Sequence, residues 1–187
     1  MTTLTAAGAD EPTHPRAQAR DAAAFTALID VHDHSLRRLA FRLLGDRDRM
    51  DDALQEAYVK AFRSLPRFRG RSAPATWLYR IVYNACLDEL RRLQAHPVTP
   101  LDAGGEASDA GDLAEAVVGR RTLAEALAAL PPEQRAAVLL VDADGFDYRA
   151  AAEVLGVQVG TVASRLSRAR ATLRRALTAI PNGAEER

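Results

Sequence analysis

Near the end of the chain, Ser164, Arg165, Ser167 and Arg168 bring hydroxyl and guanidinium groups together within five positions. Such groups donate hydrogen bonds to phosphate oxygens and to the edges of bases, guanine above all for Arg. They lie between Val162, Leu166, Ala169 and Leu173, which recur at helical spacing and face a core. A short helical segment over 147–155 and a turn signal, Gly156-Val157, come just before. Helix, Gly-containing turn and Arg-rich second helix is the sequence form of a helix-turn-helix reader of DNA. A solvated Arg-rich helix fits the same residues, so this segment alone supports DNA binding and nothing narrower.

Two further groups of residues have chemistry to offer. Asp52, Gln55, Glu56 and Val59 stand at i, i+3, i+4 and i+7 and so share one helix face, suited to docking a partner helix that carries Arg. On pattern alone, a solvated acidic face near a helix N-terminus, where the dipole favours Asp and Glu, explains them better. The stretch from Arg67 to Ser72 holds three Arg, Phe68 and Gly70. Arg neutralises phosphate while an aromatic ring offers a stacking face, which suits unstacked single-stranded bases. A surface loop with Phe68 tucked into the core is an equal reading. Arg80, Asn84 and Arg91 form an outward polar stripe on the helix that follows.

The elements that must position these groups are helices throughout. Residues 1–20 lack any period and read as a flexible leader. From Asp21, the residues Phe25, Leu28, Ile29, His32, Leu36, Leu39 and Leu43 make one apolar face, which Gly45 stops. A second helix over 50–65, capped by Asp46 or Asp48, buries Leu54, Ala57, Tyr58, Ala61, Phe62 and Leu65. Pro66 ends it. A third over 74–93 turns Leu78, Val82, Ala85, Cys86 and Leu90 inward, with Trp77, Tyr79 and Tyr83 adding aromatic surface near its start. Residues 96–111, rich in Pro, Gly and acid, form a linker. Helix resumes near Asp112, with Leu113, Val117, Leu123, Leu127 and Leu130 at core spacing. A further helix over 133–141 precedes the helix-turn-helix. The expected fold is all-α: two small helical domains, 21–95 and 112–180, joined by a flexible acidic linker, the second ending in the helix-turn-helix.

Net charge is formally zero, but its distribution is not even. Residues 95–119 carry 5 Asp/Glu and no Arg or Lys, whereas residues 148–180 carry 6 Arg against Glu153 alone. Two basic-leaning parts thus flank an acidic strip. The lone Cys86 forms no internal disulfide, and no Cys/His cluster has zinc spacing, so neither metal nor cofactor is expected. His32 and His34 read as ordinary helix residues. No apolar run approaches membrane-spanning length and no signal core opens the chain, which points to a cytoplasmic protein without membrane insertion. No nucleophile–base pair or phosphate loop stands at credible spacing, so an enzyme acting on a small-molecule substrate is not expected.

Taken in order, several segments resemble one family, the extracytoplasmic-function (ECF) group of sigma-70-type sigma factors. Asp51-Asp52-Ala53-Leu54-Gln55-Glu56-Ala57-Tyr58 resembles the family's acidic segment. The resemblance implies that Asp51, Asp52, Gln55, Glu56 and Val59 contact the β′ clamp of RNA polymerase. Phe68-Arg69-Gly70-Arg71-Ser72 with Thr76-Trp77-Leu78-Tyr79-Arg80-Ile81, and then Asn84 to Arg92, resemble the part that opens and reads the −10 element. This implies −10 contacts by Phe68, Arg69, Arg71, Ser72, Arg80, Asn84 and Arg91. Leu130-Pro131-Pro132-Glu133-Gln134-Arg135 and Gly160 through Arg170 resemble the −35-reading domain, implying roles for Thr161, Ser164, Arg165, Ser167, Arg168, Arg170 and Arg174.

The likeness spans about residues 24–93 and 123–177, in the family's order. It departs at Ala150, where the family usually has Glu, at Ala163, often basic, and at Ser167, often aromatic or His. Those departures imply base readout by Ser164 and Arg168, with phosphate contacts from Arg165, Arg170 and Arg174. The implied partners are core RNA polymerase, through its β′ clamp and β flap, promoter DNA, and a separate anti-sigma protein, since no sensing domain follows Pro181 to Arg187. The acidic strip from Asp102 to Glu115 is expected to mimic nucleic acid in the polymerase channel. A stand-alone helix-turn-helix regulator is the alternative; it leaves residues 52–92 unassigned.

Overall fold

In each half of the chain the apolar stripes fall on short amphipathic helices, so burial is possible only by packing helix against helix. The computed structural model describes residues 15–95 and 123–178. Among these the elements are α1 (Pro15–Leu44), α2 (Arg47–Ser64), α3 (Pro74–Ala95), α4 (123–128), α5 (Pro132–Val138), α6 (Tyr148–Leu155) and α7 (Val159–Thr178). The expected all-α class in two helical domains is the one found. The expected linker, 96–111, and residues 112–122 of the expected second domain lie outside the described residues.

In the first domain α1, α2 and α3 pack mutually. Leu36, Leu39 and Leu43 of α1, Leu54 and Ala57 of α2, and Leu78, Val82 and Cys86 of α3 are fully or almost fully buried. Each large side chain so buried contributes about 1.5–3 kcal/mol. Asp46 supplies the second helix's cap, its carboxylate accepting from the Arg49 amide at 2.9 Å. The α2 helix stops at Ser64, whose hydroxyl turns back to donate to the Lys60 carbonyl, and Leu65–Arg67 continues as a tighter 3-10 turn around Pro66.

Three expectations are corrected here. The first helix begins at Pro15, inside the stretch read as a leader, because Ala-rich sequence extends the helix without needing an apolar period. Phe62 is half exposed, its ring 5.6 Å from that of Phe25 at the edge of the core. Tyr79 and Tyr83 are buried, not surface aromatics. A second domain lies over them and covers what one domain alone would leave exposed.

That second domain centres on α7. Val162, Leu166 and Ala169 are wholly buried and Leu173 nearly so, against Ala136 to Leu140 and Ala151 to Leu155. Leu123, placed by its spacing in the core, is instead 42% exposed. The expected helix over 133–141 is regular only to Val138, then widens into a π-type turn over Leu139–Ala143. Asp147 caps α6, accepting from the Ala150 amide at 2.7 Å, and Gly156 closes it with φ +66, a left-handed conformation that favours glycine.

The two domains pack directly, α3 on α6 and α1 on α5. Arg135 of α5 is central to this. Its Nη1 donates to the carbonyls of Arg42 and Leu43 at the end of α1, at 2.7 and 3.3 Å. Its Nη2 donates to those of Ala128 and Leu130, at 2.5 and 2.9 Å. Helix C-termini leave their last carbonyls unpaired, and one guanidinium here satisfies two such ends from different domains.

Candidate nucleic-acid and partner interfaces

The first turns of α2 decide how the acidic face is presented. Asp52, Gln55 and Val59 are exposed, and they line a shallow concavity of about 360 Å³ with Glu56, Lys60 and Arg63. Val59, an aliphatic side chain among charges, is 43% exposed. Asp52 has no ion-pair partner among the described residues. Glu56 is held by Lys60 at 2.9 Å and Arg92 at 3.4 Å, chiefly the Lys60 hydrogen bond keeping its carboxyl below the ordinary range. Asp51 lies apart from the concavity and accepts from Arg37 at 2.7 Å. Arg37 is also paired with Asp33, which accepts from the Tyr58 hydroxyl at 3.1 Å. Four of the five sequence-picked residues, Asp52, Gln55, Glu56 and Val59, therefore form one surface; Asp51 belongs to a neighbouring network.

In the loop between α2 and α3, Arg69 and Arg71 are exposed. Phe68 is half-buried and packs on Trp77, ring centroids 5.0 Å apart. The loop therefore combines the two readings: exposed guanidinium groups around an aromatic ring that packs in part against Trp77. On α3, Asn84 and Arg91 are exposed, Arg91 paired with Asp88 at 2.7 Å. Arg92 pairs with Glu89 at 3.2 Å. Arg80 is turned partly inward, its Nε buried with no hydrogen-bond partner. Arg71 and Ser72 face a cleft of about 490 Å³ whose other wall is Asp147, Arg149 and Ala150 of the second domain.

On α7, Ser164, Ser167, Arg168 and Arg174 are exposed along one side of the helix. The Ser164 hydroxyl donates to the Thr161 carbonyl one turn back, at 2.9 Å. Arg170, expected at phosphate, is paired with Asp142 through two donors, and that hydrogen bonding, with a further one to Tyr148, raises its pKa. Arg165 is also displaced from the outer face. It is half-buried, one Nη is sealed off without a partner, and its charge is felt by Tyr83 of α3.

Sequence reasoning missed the residues that join the domains, Arg38, Asp144 and the role of Arg135, and also Asp142, which ties α7 to the turn after α5 within the second domain. The widened turn at Leu139–Ala143 sends Asp142 to Arg170 and Asp144 to Arg38 of α1. Asp144's side chain is 4% exposed. Burial pushes its carboxyl up, against the opposing pull of Arg38. Tyr79 lies beside it, ring to ring with Phe146 at 4.7 Å and with His32 at 5.9 Å. The Tyr79 hydroxyl is pushed up to about 12, mainly by burial. Only the resemblance around Leu130 to Arg135 hinted at any of this; ion pairs between residues a hundred positions apart leave no local pattern. Among the described residues, no group of three or more His, Cys, Asp or Glu is placed to hold a metal ion. Among the same residues, no helix is long and apolar enough to cross a membrane.

Known proteins match this arrangement in both halves. The family model for sigma-70 region 2 matches residues 28–96 and that for sigma-70 region 4 matches residues 120–173. The ECF RNA polymerase sigma factor SigM of Mycobacterium tuberculosis is 43% identical over 165 residues, covering 88% of this chain and 83% of its own. The ECF RNA polymerase sigma-E factor of Escherichia coli K12 is 35% identical over 167 residues, with 83% of this chain and 87% of its own covered. Among solved structures, the sigma factor RpoE of Bartonella quintana, in complex with the anti-sigma factor NepR, superposes with a TM-score of 0.70 at 28% identity. That match covers 83% of this chain and 98% of the other. A stand-alone helix-turn-helix regulator accounts for the second half only, whereas the matches run through both. The chain belongs to the ECF RNA polymerase sigma factors, with α1 to α3 as region 2 and the helix-turn-helix within region 4.

Proposed function

We propose a division of labour for this RNA polymerase sigma factor in which each of its exposed polar faces takes one partner. The α2 concavity of Asp52, Gln55, Glu56 and Val59 docks on the β′ clamp of core polymerase. Arg69, Arg71, Asn84 and Arg91, around Phe68, hold melted −10 DNA. Region 4 sits against the β flap and lays α7 in the −35 major groove, with Ser164 and Arg168 at bases and Arg174 at phosphate. Extruding a base costs a few kcal/mol. Stacking on a side chain returns roughly 1–3 kcal/mol per base. The chain acts without catalysis of its own, in the cytoplasm, and a separate anti-sigma protein controls it.

The observation that carries this reading is the α2 face. An unpaired carboxylate, an amide and an exposed valine side by side serve no purpose inside the fold, and a DNA-only regulator has no use for them. A footprinting experiment tests it. The chain with core polymerase protects promoter DNA across both elements, and the chain alone protects neither. Full protection by the chain alone overturns the reading in favour of a stand-alone regulator.

A further inference from the structure

A helix with its side chains is about 10–12 Å across, and the major groove is about 12 Å wide. Laid in that groove, α7 therefore meets phosphate along its flanks as well as bases at its outer face. Val162, Leu166, Ala169 and Leu173 mark its core side. Ser164, Ser167 and Arg168 are exposed opposite them. Arg170 lies on one flank, three residues past Ser167 and four before Arg174, spacings that make neighbours on a helix surface. From there an unengaged Arg170 would reach the same backbone as Arg174.

Arg170 is engaged, however, and by residues of region 4 alone. Asp142, in the widened turn after α5, accepts from its Nη2 and Nε. The Tyr148 hydroxyl at the start of α6 takes a further hydrogen bond. The Arg170 and Asp142 side chains are 44% and 35% exposed, and a pair so exposed adds little to stability. Asp142 is thus an acidic group set beside a reader helix that carries five Arg and no acid. A guanidinium matched in charge, with two of its nitrogens already bonded, has little left to offer phosphate. None of this depends on how the two domains sit against each other.

We infer that Asp142 is a positioning residue for −35 recognition: it holds Arg170 off the DNA backbone and so limits the sequence-independent part of region 4's hold on the promoter. The inference rests on the reading of α7 as the helix that enters the −35 major groove. Phosphate contacts carry no sequence information, whereas contacts to base edges do. With Arg170 withheld, more of the hold comes from Ser164 and Arg168 at the bases.

The test measures binding of polymerase holoenzyme to promoter fragments with the preferred −35 element or a scrambled one. Asp142→Ala is expected to steepen the fall of log affinity with log salt by about 0.9, the increment of one new phosphate contact. Its excess affinity over the wild type then grows about 3.5-fold when salt is lowered fourfold. The gain should be the same on both fragments. Asp142→Glu keeps the charge and should stay near the wild-type slope. The decisive variant combines Asp142→Ala with Arg170→Ala and should return to the wild-type slope. If the pair only braces the fold, Asp142→Ala loses affinity without steepening, and that result overturns the inference. A steeper slope that persists in the double variant also overturns it, because the lost carboxylate alone then accounts for the gain. Wild-type holoenzyme that binds both fragments equally overturns the reading of α7 as the −35 reader, and the inference falls with it.

Discussion

The guanidinium of Arg170 grips the carboxylate of Asp142 with two donors, Nη2 at 2.5 Å and Nε at 3.1 Å, tying the reader helix α7 to the widened turn that follows α5. Arg170 is thus committed within region 4, while Arg174, one turn further on, is exposed. Arg174→Ala should lower the slope of log affinity against log salt by about 1, the signature of one lost phosphate contact. Arg170→Ala should leave that slope nearly intact and cost region 4 under about 1 kcal/mol, since the pair is largely exposed. Salt titrations of polymerase holoenzyme on promoter DNA measure the slopes; equal reductions for both variants contradict the distinction.

Arg168 is exposed on the same side of α7 as Ser164. Arg168→Ala is expected to remove about 1–3 kcal/mol of discrimination between the preferred −35 sequence and a scrambled one. Holoenzyme binding to the two duplexes is the measurement. If affinity drops by the same factor on both, Arg168 touches phosphate and reads no base.

On α2 the ion pairs separate residues that the family resemblance had grouped. Asp52→Arg and Val59→Glu each change an exposed position and should weaken core polymerase binding about tenfold or more, a loss of at least about 1.4 kcal/mol. Asp51→Asn should cost much less there, because Asp51 already serves Arg37. Titration of labelled chain with core polymerase decides it, and an Asp51→Asn loss as large as that of Asp52→Arg contradicts the assignment.

Cys86 is fully buried, and burial pushes its thiol up to about 12. Because the folded value is the raised one, its contribution to stability is complete below the unfolded thiol's pKa and is lost as pH rises through about 12. Near neutral pH the residue should therefore resist a thiolate-seeking reagent in the native chain and react completely in denaturant. Rapid labelling of the native protein would show that region 2 opens far more often than its packing implies.

The helices were legible, and the cap of α2 was narrowed to Asp46 or Asp48, because capping and apolar period are local properties of a few consecutive residues. So was the α2 face, since i, i+3, i+4, i+7 spacing places side chains whatever the tertiary context. The seam was not legible. Tyr79 and Tyr83 looked like surface aromatics because the domain that packs on α3 leaves no mark on that helix's own spacing. Nothing in the spacing of Arg38 and Asp144, 106 positions apart, announces that they meet. Phe62 and Leu123 erred the other way: helical period put them on apolar faces whose edges extend past the packed core.

The central claim is that this chain gives core polymerase its promoter, and that the α2 face is where the two join. Run-off transcription on genomic fragments with purified core polymerase tests it directly. Discrete transcripts should appear only when the chain is added, and Asp52→Arg should abolish them while leaving the helical content of the protein unchanged. The same transcripts without the chain, or undiminished with Asp52→Arg, would contradict the account.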